Sequence, residues 1–170
     1  MKILIKLATD LIDNFQNIYE DKWLNMMRDK LGLFGEEKKD KKLINDLLDW
    51  MEKNKADYTN TFCHLMDINS HEVYKNNDFI NWKNEWKKRS ALNNSTKEKQ
   101  SKLMKINNPI VIPRNHKIEE ALAEADKGSL DKMKKLLIIL DKPYENQDGI
   151  DEYQVPAKIS EKKYQTFCGT

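Results

Sequence analysis

Hydrophobic residues recur at steps of three and four along most of this chain. From Ile3 to Leu31 the apolar positions are Leu4, Leu7, Leu11, Phe15, Ile18, Tyr19, Trp23, Met26, Met27 and Leu31. This spacing is that of the buried stripe of an amphipathic helix. Gly32 follows directly, where a helix commonly ends on a left-handed residue. The pattern therefore predicts a first long helix that ends at Leu31.

Six shorter helices are predicted after it, most of them opened by a polar capping residue. The segments are "KKLINDLLDWMEKN", "YTNTFCHLMDI", "FINWKNEWKKR", "KQSKLMKI", "EEALAEADKG" and "LDKMKKLLIIL". The residues assigned to their starts are Asp40, Asp57, Asp78, a capping box formed by Ser95 and Glu98, and Ser129. Asn108-Pro109 breaks the helical pattern.

The predicted fold class is all-α, an irregular bundle of about six or seven helices with an extended C-terminal tail. No hairpin signal occurs, and five Gly and four Pro in 170 residues favour helices over a many-turned β-fold. We divide the chain into a helical domain, residues 1–143, and a polar, largely irregular tail, residues 144–170. The stripes predict a core that contains Trp23, Leu47, Trp50, Phe62, Trp82, Leu122, Leu136 and Leu137.

Charge is balanced overall, with a formal net charge of +2, so charge alone does not indicate a nucleic-acid-binding protein. It is uneven, however, because eight Lys or Arg but only two acidic residues, Glu85 and Glu98, lie between Trp82 and Lys105. The simpler interpretation is a solvated helix face. A surface for nucleic acid or phosphate is the alternative.

Several classes of protein are not expected. No apolar run approaches the roughly 20 residues of a membrane span. Asp10 and Asp13 interrupt the apolar start, so no signal peptide is expected and the cytoplasm is the predicted location. Neither glycine-rich phosphate motif occurs, and Cys63, His64 and His71 make a poor metal set. We predict no catalytic residue, no metal site and no cofactor within this chain.

Two positions are candidate contact residues. In "NNPIVIPRNHKIEEA", Asn115 fits the N-cap of a helix, and Arg114 beside it has the character of an ion-pair or anion partner. Cys168 is the second candidate site, because it lies two residues from the last residue of the chain. An inert thiol and a thiol offered to a partner both remain possible on composition alone.

An ordered set of motifs resembles the C-terminal third of the selenoprotein O family, the kinase-like protein adenylyltransferases. "MMRDKLGL" is similar to the family's M-R-x-K-L-G-L, "ADYTNTF" to D-[YF]-T-x-T-F, and "NPIVIPRN" to N-P-x-x-x-x-R-N. "EEALAEADKGSLDKMKKLLIILDKPY" resembles two following helices, and "CGT" the family's terminal Cys-Ser-Ser. The chain departs at Cys63, where the family usually has an arginine, and at Pro113.

The resemblance implies a function that the residues alone do not. It implies transfer of AMP from ATP to protein hydroxyls, with ATP and Mg²⁺ held by an upstream kinase-like catalytic region and not by this chain. This segment would be non-catalytic by itself, and Cys168 would occupy the position of the family's redox cysteine or selenocysteine. Arg114 and Asn115 would serve an inter-segment contact. The alternative is a stand-alone helical interaction or nucleic-acid-binding module, although neither nucleic acid nor a membrane is the expected partner.

Overall fold

The computed structural model describes residues 2–157, without the side chains of residues 2, 3, 8 and 10. This part of the chain contains nine α-helices, one short 3₁₀ helix and no β-strand, so the all-α prediction is confirmed. The helices are α1 (Lys2–Asp13), α2 (Phe15–Lys30), α3 (Asp40–Asn54), α4 (Tyr58–Leu65), the 3₁₀ helix (Glu72–Lys75), α5 (Asn77–Ser90), α6 (Lys97–Asn107), α7 (Asn115–Ala125), α8 (Asp131–Asp141) and α9 (Asp151–Gln154).

The first predicted helix is divided in two at Asn14. The Asn14 side chain accepts a hydrogen bond from Asn17 Nδ2 at 3.0 Å, and such local side-chain bonds compete with the regular helix ladder. The end lies within one residue of the prediction: α2 ends at Lys30, Leu31 is its C-cap, and Gly32 follows with a φ of +66°. Division at Asn14 and the unpredicted turn α9 account for the larger number of helices.

The chain divides into two compact units, residues 1–110 and 111–170. In the first unit the core is formed by buried residues of α2 to α6, and α5 contributes an aromatic row to it. Trp82 Nε1 donates to the Leu43 carbonyl at 2.8 Å, and Trp86 Nε1 donates to the Leu31 carbonyl at 3.0 Å. Each indole therefore buries its ring and satisfies its single donor at the same time.

In the second unit, as far as it is described, α7 packs against α8. Val111, Ile150 and Tyr153 are buried there, and the Val111 N–H donates to the Pro143 carbonyl at 3.4 Å. The segment predicted as an irregular tail thus contains a helical turn, α9, and two buried side chains. The domain boundary after residue 143 stays a prediction.

The burial predictions hold for most of the predicted core. Leu47, Trp50, Phe62, Trp82 and Leu136 are buried, and Trp23 is partly buried against the core. Leu122 and Leu137 were assigned wrongly, because they are 46% and 62% exposed. The run "LLIIL" spreads apolar residues around the second half of α8, whose first half is mostly charged, and only Leu136 and Ile139 of this helix are buried. A stripe drawn through consecutive apolar residues cannot tell these sides apart.

Capping residues are identified correctly in one helix and missed in several. Asp57 caps α4 as predicted, since its Oδ1 accepts from the Asn60 N–H at 2.8 Å. The cap of α5 is Asn76 and not Asp78, and the cap of α6 is Thr96 and not Ser95. In both cases a neighbouring Asn or Thr offers the same acceptor one or two residues away, so sequence pattern alone does not resolve the choice.

Candidate functional site

Arg114 and Asn115 lie at the start of α7. Asn115 is the first residue of the helix and is exposed, so Arg114 and not Asn115 occupies the N-cap position. The half-buried Arg114 donates from Nε to the Tyr153 carbonyl at 3.2 Å, in the last residues of α9. A guanidinium near the carbonyl end of a helical turn is favourably placed. Whether either residue contacts another segment of a longer protein stays a prediction.

Cys63 is fully buried in α4, and Cys168 lies outside the described residues. Cys63 Sγ donates a long hydrogen bond to the Pro109 carbonyl, at 3.9 Å. Lys30 is buried beside this position: its Nζ donates to the Asn107 carbonyl at 3.1 Å and lies 4.7 Å from the centroid of the Phe62 ring. Burial lowers the pKa of Lys30, and the nearby Cys63 opposes that shift.

His64 belongs to an aromatic cluster. Its ring stacks on Tyr74 with centroids 4.2 Å apart, and Nδ1 lies 2.9 Å from the Asn69 carbonyl oxygen. Burial lowers the pKa of His64, against the opposing hydrogen bond to Asn69. Within residues 2–157 we find no group of three or more His, Cys, Asp or Glu arranged to hold a metal ion.

The most strongly organised polar cluster of the first unit was not predicted from the sequence. Asp40 was assigned as a helix cap, but it is the first residue of α3, and its carboxylate is fully buried between two arginines. Arg28 Nε donates to Asp40 Oδ2 at 2.8 Å, and Arg89 Nε donates to Oδ1 at 2.6 Å. The Glu37 N–H also donates to Oδ2, at 3.0 Å. The carboxylate therefore joins α2, α3, α5 and the loop before α3.

Both arginines have further acceptors, so the cluster is satisfied. Arg28 Nη1 donates to Asn25 Oδ1 and Glu36 Oε1, and Arg89 Nη2 donates to the carbonyls of Phe34 and Gly35. Burial by itself raises the pKa of the Asp40 carboxyl, but the hydrogen bonds from Arg89, the Glu37 N–H and Arg28 outweigh it and hold that pKa below its ordinary value. The cluster fixes the geometry of three helices.

The sequence did contain a signal that Arg89 is buried. Phe79, Trp82 and Trp86 form the buried stripe of α5, and Arg89 follows Trp86 by three residues on that stripe. A charged residue at a core-facing position needs a buried partner. That partner, Asp40, lies 49 residues away in sequence, and the local pattern contains no information about so distant a contact.

The groove between α3 and α5 lacks the features of an ATP–Mg²⁺ site. Such a site needs a cradle for the phosphates and carboxylates for the metal. Gly32, Gly35, Gly128 and Gly149 each occur singly at a position of positive φ. In the groove between α3 and α5, three of the four acidic residues, Asp46, Asp78 and Glu85, are ion-paired with lysines. No chemical step is therefore assigned to ATP within this part of the chain.

Fold and cluster together define an all-helical module in which a buried Arg–Asp–Arg network joins α2, α3 and α5. The family model described as "Protein adenylyltransferase SelO" matches residues 2–141, most of the chain. The chain belongs to this family, as its motifs indicated. No helix among residues 2–157 is both long enough and apolar enough to cross a membrane.

Similar proteins carry the same family identity. The chain is 56% identical over 168 residues to the protein nucleotidyltransferase YdiU of Pelagibacter ubique. The aligned region covers 98% of this chain and 35% of that protein. The chain is 41% identical over 167 residues to the protein of the same name from Nitrosococcus oceani, and the alignment covers 96% of this chain and 34% of that protein. It is 44% identical over 169 residues to the protein of the same name from Bacillus mycoides, and the alignment covers 98% of this chain and 35% of that protein. The chain thus spans about a third of the length of these curated relatives.

Proposed function

We propose that this chain is the C-terminal helical segment of a protein adenylyltransferase, which transfers AMP from ATP to protein hydroxyls, and that the segment is non-catalytic by itself. Family membership supports the reaction class, and the relatives, about three times as long, provide room for a separate catalytic region. In this proposal a kinase-like region binds ATP and Mg²⁺, and this segment packs against it.

The observation that carries the proposal is the apolar surface of α1 and the first half of α2. Seven large apolar side chains there are 43–73% exposed: Leu4, Ile5, Leu7, Leu11, Ile12, Phe15 and Ile18. A helix face of this composition is normally buried. Full burial of one such side chain contributes about 1.5–3 kcal/mol to the free energy of folding or association. Seven of them on neighbouring helices therefore favour permanent contact with another part of a longer protein.

The second unit supports the same conclusion independently. On α8, Leu137 and Ile138 are exposed although Leu136 and Ile139 on the same helix are buried. Large apolar side chains that lie exposed beside one another are a feature of contact surfaces. The simplest assembly is one in which the catalytic region covers this side of α8 as well, and protein substrates then bind to the complete enzyme.

Reconstitution tests the proposal. The part of the Pelagibacter ubique relative that this chain does not match is expressed separately and mixed with this chain, and transfer of AMP from labelled ATP to an acceptor protein is measured. We expect no transfer by this chain alone and transfer when both parts are present. Transfer by this chain alone would refute the non-catalytic role, and failure of the two parts to associate at micromolar concentration would refute the packing role.

Cys168 is proposed as the redox residue at the position of the family's terminal cysteine or selenocysteine. Thiol–disulfide exchange requires access, which Cys63 lacks because it is fully buried. Alkylation of the native, non-reduced chain separates the two thiols: Cys168 is expected to react fast and Cys63 slowly. A stable disulfide between them would contradict the proposal, because the thiol of Cys168 would then be unavailable to a partner.

A further inference from the structure

A basic groove lies in the first unit between the end of α4, the second half of α5 and the start of α6. Its volume is ≈ 680 Å³, which lies in the range of small-ligand sites, about 300–1,000 Å³. Three lysines from two helices line it, Lys83 and Lys87 of α5 and Lys97 of α6, with Asp67 as the single acidic residue in the lining. Leu65 and the buried Trp86 contribute apolar surface.

No carboxylate of residues 2–157 forms a salt bridge with the lysines of this groove. Lys83, Lys87 and Lys97 form no salt bridge in the part of the chain that the structure describes, and neither do the next lysines of α6, Lys99, Lys102 and Lys105. The groove between α3 and α5 provides an internal comparison. There Lys53 pairs with Asp78 at 3.5 Å and Lys88 with Glu85 at 2.6 Å, so its charges are mutually neutralised. The basic groove, lined by three lysines and Asp67, keeps a net positive charge.

Spacing on the helix brings the charges together. Lys83 and Lys87 are four residues apart, so they are neighbours on one face of α5, with Cβ atoms about 5–6 Å apart. Like charges at this spacing destabilise an isolated helix slightly, and neither lysine forms a salt bridge among the described residues. The positive charge of Lys83 also contributes to lowering the pKa of His64, after the larger effect of burial. A bound anion would relieve the repulsion.

We propose that the basic groove binds a condensed phosphate anion, of the pyrophosphate or tripolyphosphate type. Lysine ammonium groups are flexible point charges that suit several phosphate oxygens at once. Bases of nucleic acid normally stack on exposed aromatic rings, but Trp86, the aromatic residue of the lining, is buried. The phosphate group itself is thus the feature recognised. This inference does not depend on the proposed adenylyltransferase role.

Isothermal titration of the 170-residue chain with pyrophosphate and tripolyphosphate at constant ionic strength tests the inference. The first groove variant carries the double substitution Lys83→Ala and Lys97→Ala. The second carries Lys87→Gln and Lys97→Gln and provides an independent measurement if the first variant does not fold. The control is Lys38→Ala with Lys39→Ala, which removes the same charge from two exposed lysines outside the groove. Circular dichroism confirms that each variant is folded.

Both groove variants are expected to weaken binding at least about tenfold, a factor that corresponds to loss of two charge-assisted contacts of modest strength. The control variant is expected to stay within about twofold of the parent chain. Equal weakening by the control, or sulfate binding as tight as pyrophosphate, would overturn the inference and indicate an adventitious ion only. A single-stranded oligonucleotide that binds tighter with increasing length would also overturn it, in favour of a nucleic-acid surface.

Discussion

At the scale of residues, Asp40 connects three helices of the first unit. Its carboxylate accepts from Arg28, Arg89 and the Glu37 N–H while being fully buried. A buried ion pair adds little compared with apolar packing, but loss of one partner leaves charge buried without compensation. At Asp40, substitution would leave two buried guanidinium groups without their shared acceptor. The contacts of Asp40 therefore assign it a structural role in the first unit.

We predict that Asp40→Asn lowers the free energy of unfolding by about 3–5 kcal/mol near neutral pH. The control Asp46→Asn removes an exposed carboxylate paired with Lys42 at 2.7 Å and should cost no more than about 1 kcal/mol. Urea denaturation of the two variants and the parent chain measures both values. Equal midpoints for the two variants would contradict the assigned role.

The same comparison has a defined pH dependence. The folded pKa of Asp40 lies below its ordinary value, so the stability that its carboxylate contributes is fully present above the unfolded pKa of about 4. It is lost as the pH falls through the depressed folded pKa. We therefore expect the difference in unfolding free energy between the parent chain and Asp40→Asn to shrink in acid. A difference that grew below pH 4 would contradict this linkage.

At the scale of elements, the absence of a side chain at Gly32 lets the segment after α2 approach α6 closely. Gly32 has a φ of +66°, and a Cβ added there would lie 2.6 Å from Gln100 Cγ and 2.8 Å from Met104 Cγ. Gly35 has a nearly equal φ of +69° but open space around it. The two glycines share the requirement for left-handed backbone, and Gly32 alone adds a close approach between helices.

We predict that Gly35→Ala costs about 1–2 kcal/mol of unfolding free energy, the price of a left-handed alanine. Gly32→Ala should cost about 1–3 kcal/mol more, because the added methyl overpacks the contact with α6. Chemical denaturation of the two variants isolates the packing contribution as their difference. If Gly32→Ala and Gly35→Ala lower the free energy of unfolding equally, the side chains of α6 move aside without strain, and the close approach at Gly32 does not restrict that position.

At the scale of the whole molecule, two surfaces expose large apolar side chains that lie close together on a helix, a feature of contact surfaces. One is the face of α1 and the first half of α2, and the other is the outward side of α8. Neither surface is explained by contacts among the described residues. Both are explained if the chain functions as part of a longer protein, as its coverage of about a third of its relatives suggests.

We predict that Leu11→Asp weakens association of this chain with the remaining part of the Pelagibacter ubique relative at least about tenfold, because burial of a leucine contributes about 1.5–3 kcal/mol. Thr9→Asp is the matched control, since it introduces the same charge on the same helix at an exposed polar position. Analytical ultracentrifugation of the mixtures gives the affinities. Equal weakening by both variants would indicate that α1 is not the contact.

Local sequence determined the helical class, the end of α2 before Gly32, the cap at Asp57 and the inward face of α5. Each of these depends on residues within about one or two helical turns, so periodicity and capping rules are sufficient. The same locality explains why family motifs such as "MMRDKLGL" identify the protein without any structure: they are short and ordered along the chain.

Tertiary structure alone decided the role of Asp40, the partition of α8 into buried and exposed sides, and the basic groove. Arg28, Asp40 and Arg89 come from three separate helices, and a carboxylate at the start of a helix has the same local pattern whether it caps that helix or is buried between two arginines. The groove likewise combines residues of α4, α5 and α6. Contacts between residues distant in the chain depend on how helices pack, and the local pattern of hydrophobic and polar positions does not encode that packing.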